Sequence, residues 1–198
     1  MNMTEKALAA EHNDAVLYRQ GMLGEPADAH GHWEVVCYGP DGEVKWTDSI
    51  ENVVCTEGKN VMMDAALAGS SYTVVGPYVG LISSVSYTAV AATDVGTQIN
   101  GTNGWKEAGG GNAPTYSGTR PTASWSAASA NAKAFATPAV FNLTGAGTVK
   151  GMFLLYGTGA LSTIDDAHGK LWSAGLFTGG DKVVGSGDIL NASYSTSL

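Results

Sequence analysis

From Thr4 to Gln20 the apolar positions Leu8, Ala15 and Val16, with Tyr18 or Arg19, fall near one face of a predicted helix. Thr4 can cap its start and Glu5 suits the first turn, while Gly21, Gly24 and Pro26 end it. The apolar stripe is thin, so this helix needs a surface to lie on. That surface is either the chain's own domain or a neighbouring subunit. The period then changes from helical to alternating. His32 to Tyr38 (H-W-E-V-V-C-Y) predicts a strand, Gly39-Pro40-Asp41-Gly42 a turn, and Glu43 to Thr47 the returning strand of a hairpin. Ile50 to Cys55 is a further extended piece. Gly58-Lys59-Asn60 leads into a short helix over Val61 to Ala68 that stops at Gly69.

From Tyr72 onward the pattern is short strands between Gly/Ser/Thr turns. The apolar pieces are Tyr78 to Ser83, Trp105 to Glu107, Ala123 to Trp125, Ala134 to Ala136, Val140 to Leu143, Val149 to Tyr156, Trp172 to Phe177 and Asp188 to Tyr194. Lys182 to Val184 is bracketed by glycines as one more strand, and Gly145-Ala146-Gly147 predicts a tight hairpin turn. Seven or eight strands at spacings near ten predict a mainly β fold, an antiparallel sandwich or small barrel. The expected organisation is an N-terminal helical arm over 1–30, a hairpin plus short helix over 31–70 packed on the body, and a Gly/Ser/Thr-rich β body over 71–198.

Composition sharpens this division. The 198 residues carry a net charge of −8 and only 14% charged side chains. Residues 1–70 hold twelve acidic and four basic side chains, which is the whole excess, whereas 71–198 hold six of each and twenty of the 27 glycines. A net acidic chain is a poor partner for nucleic-acid phosphates. No apolar run approaches the length of a membrane span, and the start lacks the pattern of a secretory signal.

Candidate chemistry is sparse. Cys37 and Cys55 are expected to be buried free thiols, since nothing signals an oxidising compartment. His30 and His32 could point the same way on a strand, but no third ligand completes a zinc signature. Asp165-Asp166-Ala167-His168-Gly169 offers carboxylates and an imidazole for acid–base work, and equally has the composition of a loop. There is no Gly-x-Ser-x-Gly elbow and no phosphate-binding loop. No cofactor, metal or catalytic residue is assigned, and no enzymatic activity is expected.

A succession of segments carries a resemblance. These are Asp41-Gly42 with Trp46, Asn52-Val53-Val54, Glu57-Gly58-Lys59-Asn60, Tyr78-Val79-Gly80-Leu81, Gly104-Trp105-Lys106-Glu107, Tyr116, Arg120-Pro121, Trp125, Phe141-Asn142-Leu143-Thr144, Gly147 to Leu154 and Gly187-Asp188-Ile189-Leu190. Over roughly residues 31–198 the chain resembles small virion structural proteins of tailed bacteriophages, capsid cement (decoration) proteins among them. The resemblance implies a non-enzymatic particle component on the capsid surface, assembled in the host cytoplasm. Its partners would be the major capsid protein and further copies of itself, as dimer or trimer. The arm lies outside the match, and its residues Leu8, Val16, Leu17 and Tyr18 are the candidate partner-binding positions. Similar β-rich modules occur in tails and fibres, where Trp105, Tyr116 and Trp125 would bind a receptor or carbohydrate.

Overall fold

A computed structural model describes residues 29–67 and 75–197. Residues 1–28 of the predicted arm, with Leu8, Val16, Leu17 and Tyr18, lie outside the described residues, and His30, placed in the arm by sequence, opens β1. Within them the chain is mainly β, with a single α-helix and one curled antiparallel sheet that forms a half-barrel. Its strands are β1 (His30–Tyr38), β2 (Val44–Val54), β3 (Tyr78–Ser83), β4 (Lys106–Glu107), β5 (Ser124–Trp125), β6 (Ala132–Thr137), β7 (Ala139–Asn142), β8 (Gly147–Tyr156), β9 (Lys170–Leu176), β10 (Lys182–Val184) and β11 (Ile189–Ser197); the helix α1 is Thr56–Leu67. The sheet runs β4-β3-β8-β9-β2-β1-β11-β6-β5, with β10 paired to β8 and β7 to β11. The composition change near residue 70 does not separate two sheets, because β1 and β2 stand between β9 and β11.

The hairpin turn at 39–42 closes as its residues require. Gly42 takes a φ of +83°, and Gly39 N–H donates to Glu43 O at 2.8 Å. Three local expectations are corrected. Glu43 to Thr47 and Ile50 to Cys55 are one continuous strand, whose first part pairs β1 and whose last residues, Val53 and Val54, pair β9. That long strand carries the chain around the curl. The helix begins at Thr56, five residues earlier than the apolar run predicts, with Gly58 inside it. A Cβ on Gly58 would stand 2.8 Å from Trp172 O and 2.9 Å from its Cα, so the glycine lets the helix press on β9. Residues 143–147 make no hairpin, since β7 pairs β11 while β8 pairs β3, β9 and β10.

Alternation divides the apolar side chains into two clusters. The interior of the curl holds Trp33, Val35 and Cys37 from β1, Val79 and Leu81 from β3, Met152 and Leu154 from β8, and Leu190, Ala192 and Tyr194 from β11. The opposite side of β3, β8 and β9 presents Ile82, Phe153, Leu155, Leu171 and Ala174, which are covered by Cys55, Ile99, Trp105 and Ala160. This wall is therefore apolar on both faces, which explains the unbroken run M-F-L-L in β8. Gly80 lies opposite Phe153, and a Cβ there would fall 2.1 Å from the ring, so the phenyl group occupies the missing side chain's place. The segment after Arg120 spans the open seam: Val79 N–H donates to Pro121 O at 2.9 Å and Ala123 N–H to Pro77 O at 2.7 Å, while Ser124 and Trp125 pair β6.

Candidate functional site

Charged groups are few in the β body, and the structure uses them as internal ties. Glu107 and Arg120 are both fully buried. Arg120 Nε donates to Glu107 Oε1 at 2.7 Å and Nη2 to Oε2 at 2.5 Å, a two-pronged ion pair. Two further guanidinium N–H groups donate to Leu161 O at 3.0 Å and Asp166 O at 2.6 Å. Asp165 N–H donates to Glu107 Oε2 at 2.8 Å. Burial pushes the Glu107 carboxyl up from its ordinary value, and the Arg120 bonds oppose that push. One carboxylate and one guanidinium thus join β4, the segment entering the seam and the 157–169 loop.

The Asp165–His168 cluster divides between two tasks. Asp165 accepts from Asn100 Nδ2 at 2.7 Å and from Gly111 N–H at 2.8 Å, so both carboxylate oxygens are engaged in holding the 100–112 segment. A Cβ on Gly110 would meet Asp165 Oδ2 at 1.9 Å, which accounts for a glycine there. Asp166 instead faces His168, whose Nδ1 lies 3.0 Å from Oδ2 and whose side chain is 75% exposed. Desolvation pushes the Asp166 carboxyl up, but the His168 ring and backbone N–H bonds outweigh it and hold the group below its ordinary value. The cluster is built as a loop brace. Elsewhere His32 Nδ1 lies 2.8 Å from Glu51 Oε1 across β1 and β2, while His30 is exposed at the strand's start. No group of three or more metal-ligating side chains occurs among the described residues. Cys37 and Cys55 are buried and unbonded. Burial, with nearby Asp188 for Cys37 and Asp94 and Glu57 for Cys55, pushes the thiols up to about 11 and about 12.

The three aromatic residues expected to bind a receptor do not share a surface. Trp105 is fully buried, donates Nε1–H to Asp94 Oδ2 at 2.8 Å and packs on Phe153. Tyr116 is buried in the interior cluster against Phe141. Trp125 is half-buried beside Phe135 and Tyr194.

Two surfaces remain as places for a partner. The first is the outer face of β2-β1-β11-β7, read from the strand register. One row is Val44, Tyr38, Ile189 and Asn142; the next is Thr47, Val36, Asn191 and Val140; then come Ser49, Glu34 and Ser193, and last Glu51, His32 and Ser195. Among these residues the charges sit in the last two rows, while Lys45, at the bulge beside the first row, is 40% exposed and paired to Asp188 at 2.5 Å. Val44, Val140 and Ile189 are 55%, 44% and 37% exposed. Asn191 Oδ1, in the second row, is itself buried and has no hydrogen-bond partner among the described residues. The second is the mouth of the half-barrel, a cavity of about 510 Å³. Leu154, Tyr156 and Trp172 form one wall, Trp125, Ala132 and Lys133 the other, and Met62 of α1 closes one side.

Sequence reasoning missed Glu107 and Arg120 as a pair. The available signal was their rarity: a charge inside a strand pattern, in a stretch with only six of each sign, needs an internal partner. Glu57 was missed too, because it is one of twelve acidic side chains in residues 1–70 and no rarity marks it. It accepts from Gly96 N–H, Leu171 N–H and Lys170 Nζ, each at 2.9 Å, and ties the first turn of α1 to β9. Compared with known proteins, the chain matches no family model, no curated protein and no solved structure.

Proposed function

We propose that this chain is a non-enzymatic structural component of a tailed-phage particle, a capsid cement protein that clamps neighbouring capsid subunits. The observation that carries the reading is the outer face of β2-β1-β11-β7, whose first two rows are uncharged and hold Val36, Tyr38, Val44, Val140 and Ile189. An outward face with uncharged rows fits a symmetric shell, where the same patch meets the same neighbour at every lattice point. At about 3.3 Å per residue and 4.8 Å per strand the face measures on the order of 500 Å². Docking would then bury about 1,000 Å² in total, near the lower limit for a specific contact. Repetition over the shell compensates for weak single contacts. A tail or fibre protein binding carbohydrate through Trp105, Tyr116 and Trp125 gains no support from the structure, because two of these rings are buried in different clusters.

Image reconstruction of purified particles tests the reading. Many copies on the head shell, with β2-β1-β11-β7 facing the capsid, are expected; density confined to the tail would overturn it.

A further inference from the structure

The strands leave one end of the curl unfilled. Val184 and Trp33 belong to one packed cluster, but beyond Leu154 the walls part into the 510 Å³ mouth. Most of its lining is apolar or aromatic: Trp125, Trp172, Tyr156, Leu154, Met62 and Pro77. An open apolar hollow of this size in water is unfavourable unless something occupies it.

The chain enters the sheet at this same end. His30, the first residue of β1, pairs Ser197 of β11, and Ser197 pairs Ala132 of β6; both Ser197 and Ala132 line the mouth. Ala29 is buried. His30 therefore stands two strands from Ala132 at the rim, roughly 10 Å. Twenty-eight residues precede Ala29. The eight from Gly21 to Asp28 alone can span up to about 28 Å, enough to bring Val16, Leu17 and Tyr18 back over the opening. Charge agrees with this return. Lys133 is the charged side chain among the described lining residues, and residues 1–28 carry five acidic against two basic side chains.

We infer that the mouth of the half-barrel is the docking site of the chain's own N-terminal segment, with Val16, Leu17 and Tyr18 as its apolar anchor. The thin apolar stripe, which needs a surface, and the hollow, which needs an occupant, satisfy each other within one molecule. This inference does not depend on the particle assignment.

Two measurements on the full chain test it. A benzophenone amino acid placed at position 17 is irradiated, and the products are sized and mapped by mass spectrometry. The expected product has the mass of one chain and joins position 17 to peptides containing Met62, Trp125 or Trp172. In parallel, Leu17→Asp is expected to raise fluorescence of the apolar probe ANS several-fold, with the near-ultraviolet circular dichroism of the body unchanged. A cross-linked product of two chains, one mapping away from the mouth, absence of any specific product, or unchanged ANS fluorescence in Leu17→Asp would each overturn the inference.

Discussion

Arg120 shows what a single buried charge does in this protein. Its guanidinium answers Glu107, Leu161 O and Asp166 O at once and lies 5.5 Å above the Phe153 ring. Arg120→Ala would leave the Glu107 carboxylate buried without its counter-charge, and a loss of about 3–5 kcal/mol in denaturant unfolding is expected. A loss below ~1 kcal/mol would show that water replaces the guanidinium. Asp48 makes a pH-dependent contribution. Desolvation pushes its carboxyl up, but Lys182 Nζ at 2.5 Å, Thr178 Oγ1 and the N–H groups of Ser49 and Gly179 hold it below its ordinary value. Its stabilisation is complete above the unfolded-state value near 4 and is lost as pH falls through the lower folded value. Asp48→Asn should therefore cost about 1.5–3 kcal/mol at pH 7. The gap from the unaltered protein should narrow below pH ~4, as measured by urea titrations at several pH values. The thiols of Cys37 and Cys55, raised by burial, should stay unreactive toward a disulfide reagent at pH 8 until the protein unfolds.

Elements are positioned here by close approach as much as by propensity. Within a helix, Gly→Ala ordinarily stabilises by roughly 0.5–1 kcal/mol. At Gly58 the sign should reverse, because the new Cβ would meet backbone atoms of Trp172 that cannot swing aside. Gly58→Ala is expected to destabilise by about 1–3 kcal/mol in thermal or urea unfolding; any gain in stability would mean that α1 does not press on β9. The wall formed by β3, β8 and β9 depends on both of its faces. Trp105→Ala or Phe153→Ala should each cost about 3–5 kcal/mol, since both side chains are fully buried in the outer cluster.

For the whole molecule, the half-barrel holds the Glu107–Arg120 pair inside and leaves two uncharged rows of the β2-β1-β11-β7 face outside. The Glu107–Arg120 pair, Glu57 and Asp94 brace the loops from within, so changes on the β2-β1-β11-β7 face should alter attachment and not folding. Val140→Glu combined with Ile189→Glu is expected to leave the melting temperature within a few degrees and to reduce decoration of particles at least tenfold, scored by co-sedimentation with heads. Undiminished co-sedimentation would exclude this face as the contact.

Local order was legible along the chain because turns and alternation are short-range. Gly39 to Gly42, the strands at 78–83, 182–184 and 189–194, and the burial of Cys37 and Cys55 all follow from residue type and period. What residues 143–147 connect was not legible, since β7 leaves for β11 and β8 for β3 through pairings distant in sequence. The start of α1 was hidden for a related reason: Gly58 looks like a helix breaker until Trp172 is seen against it. The Asp165–His168 motif has one composition whether it is a loop or a site, and only the bonds from Asn100 and Gly111 make it a brace. Sequence by itself determined most of the extended segments, the turn at 39–42 and the scarcity of charge, because these are set by neighbours a few residues away. Tertiary structure alone decided which charges pair, which aromatic rings are buried and where the barrel stays open, because those depend on groups that folding brings together from opposite ends of the chain.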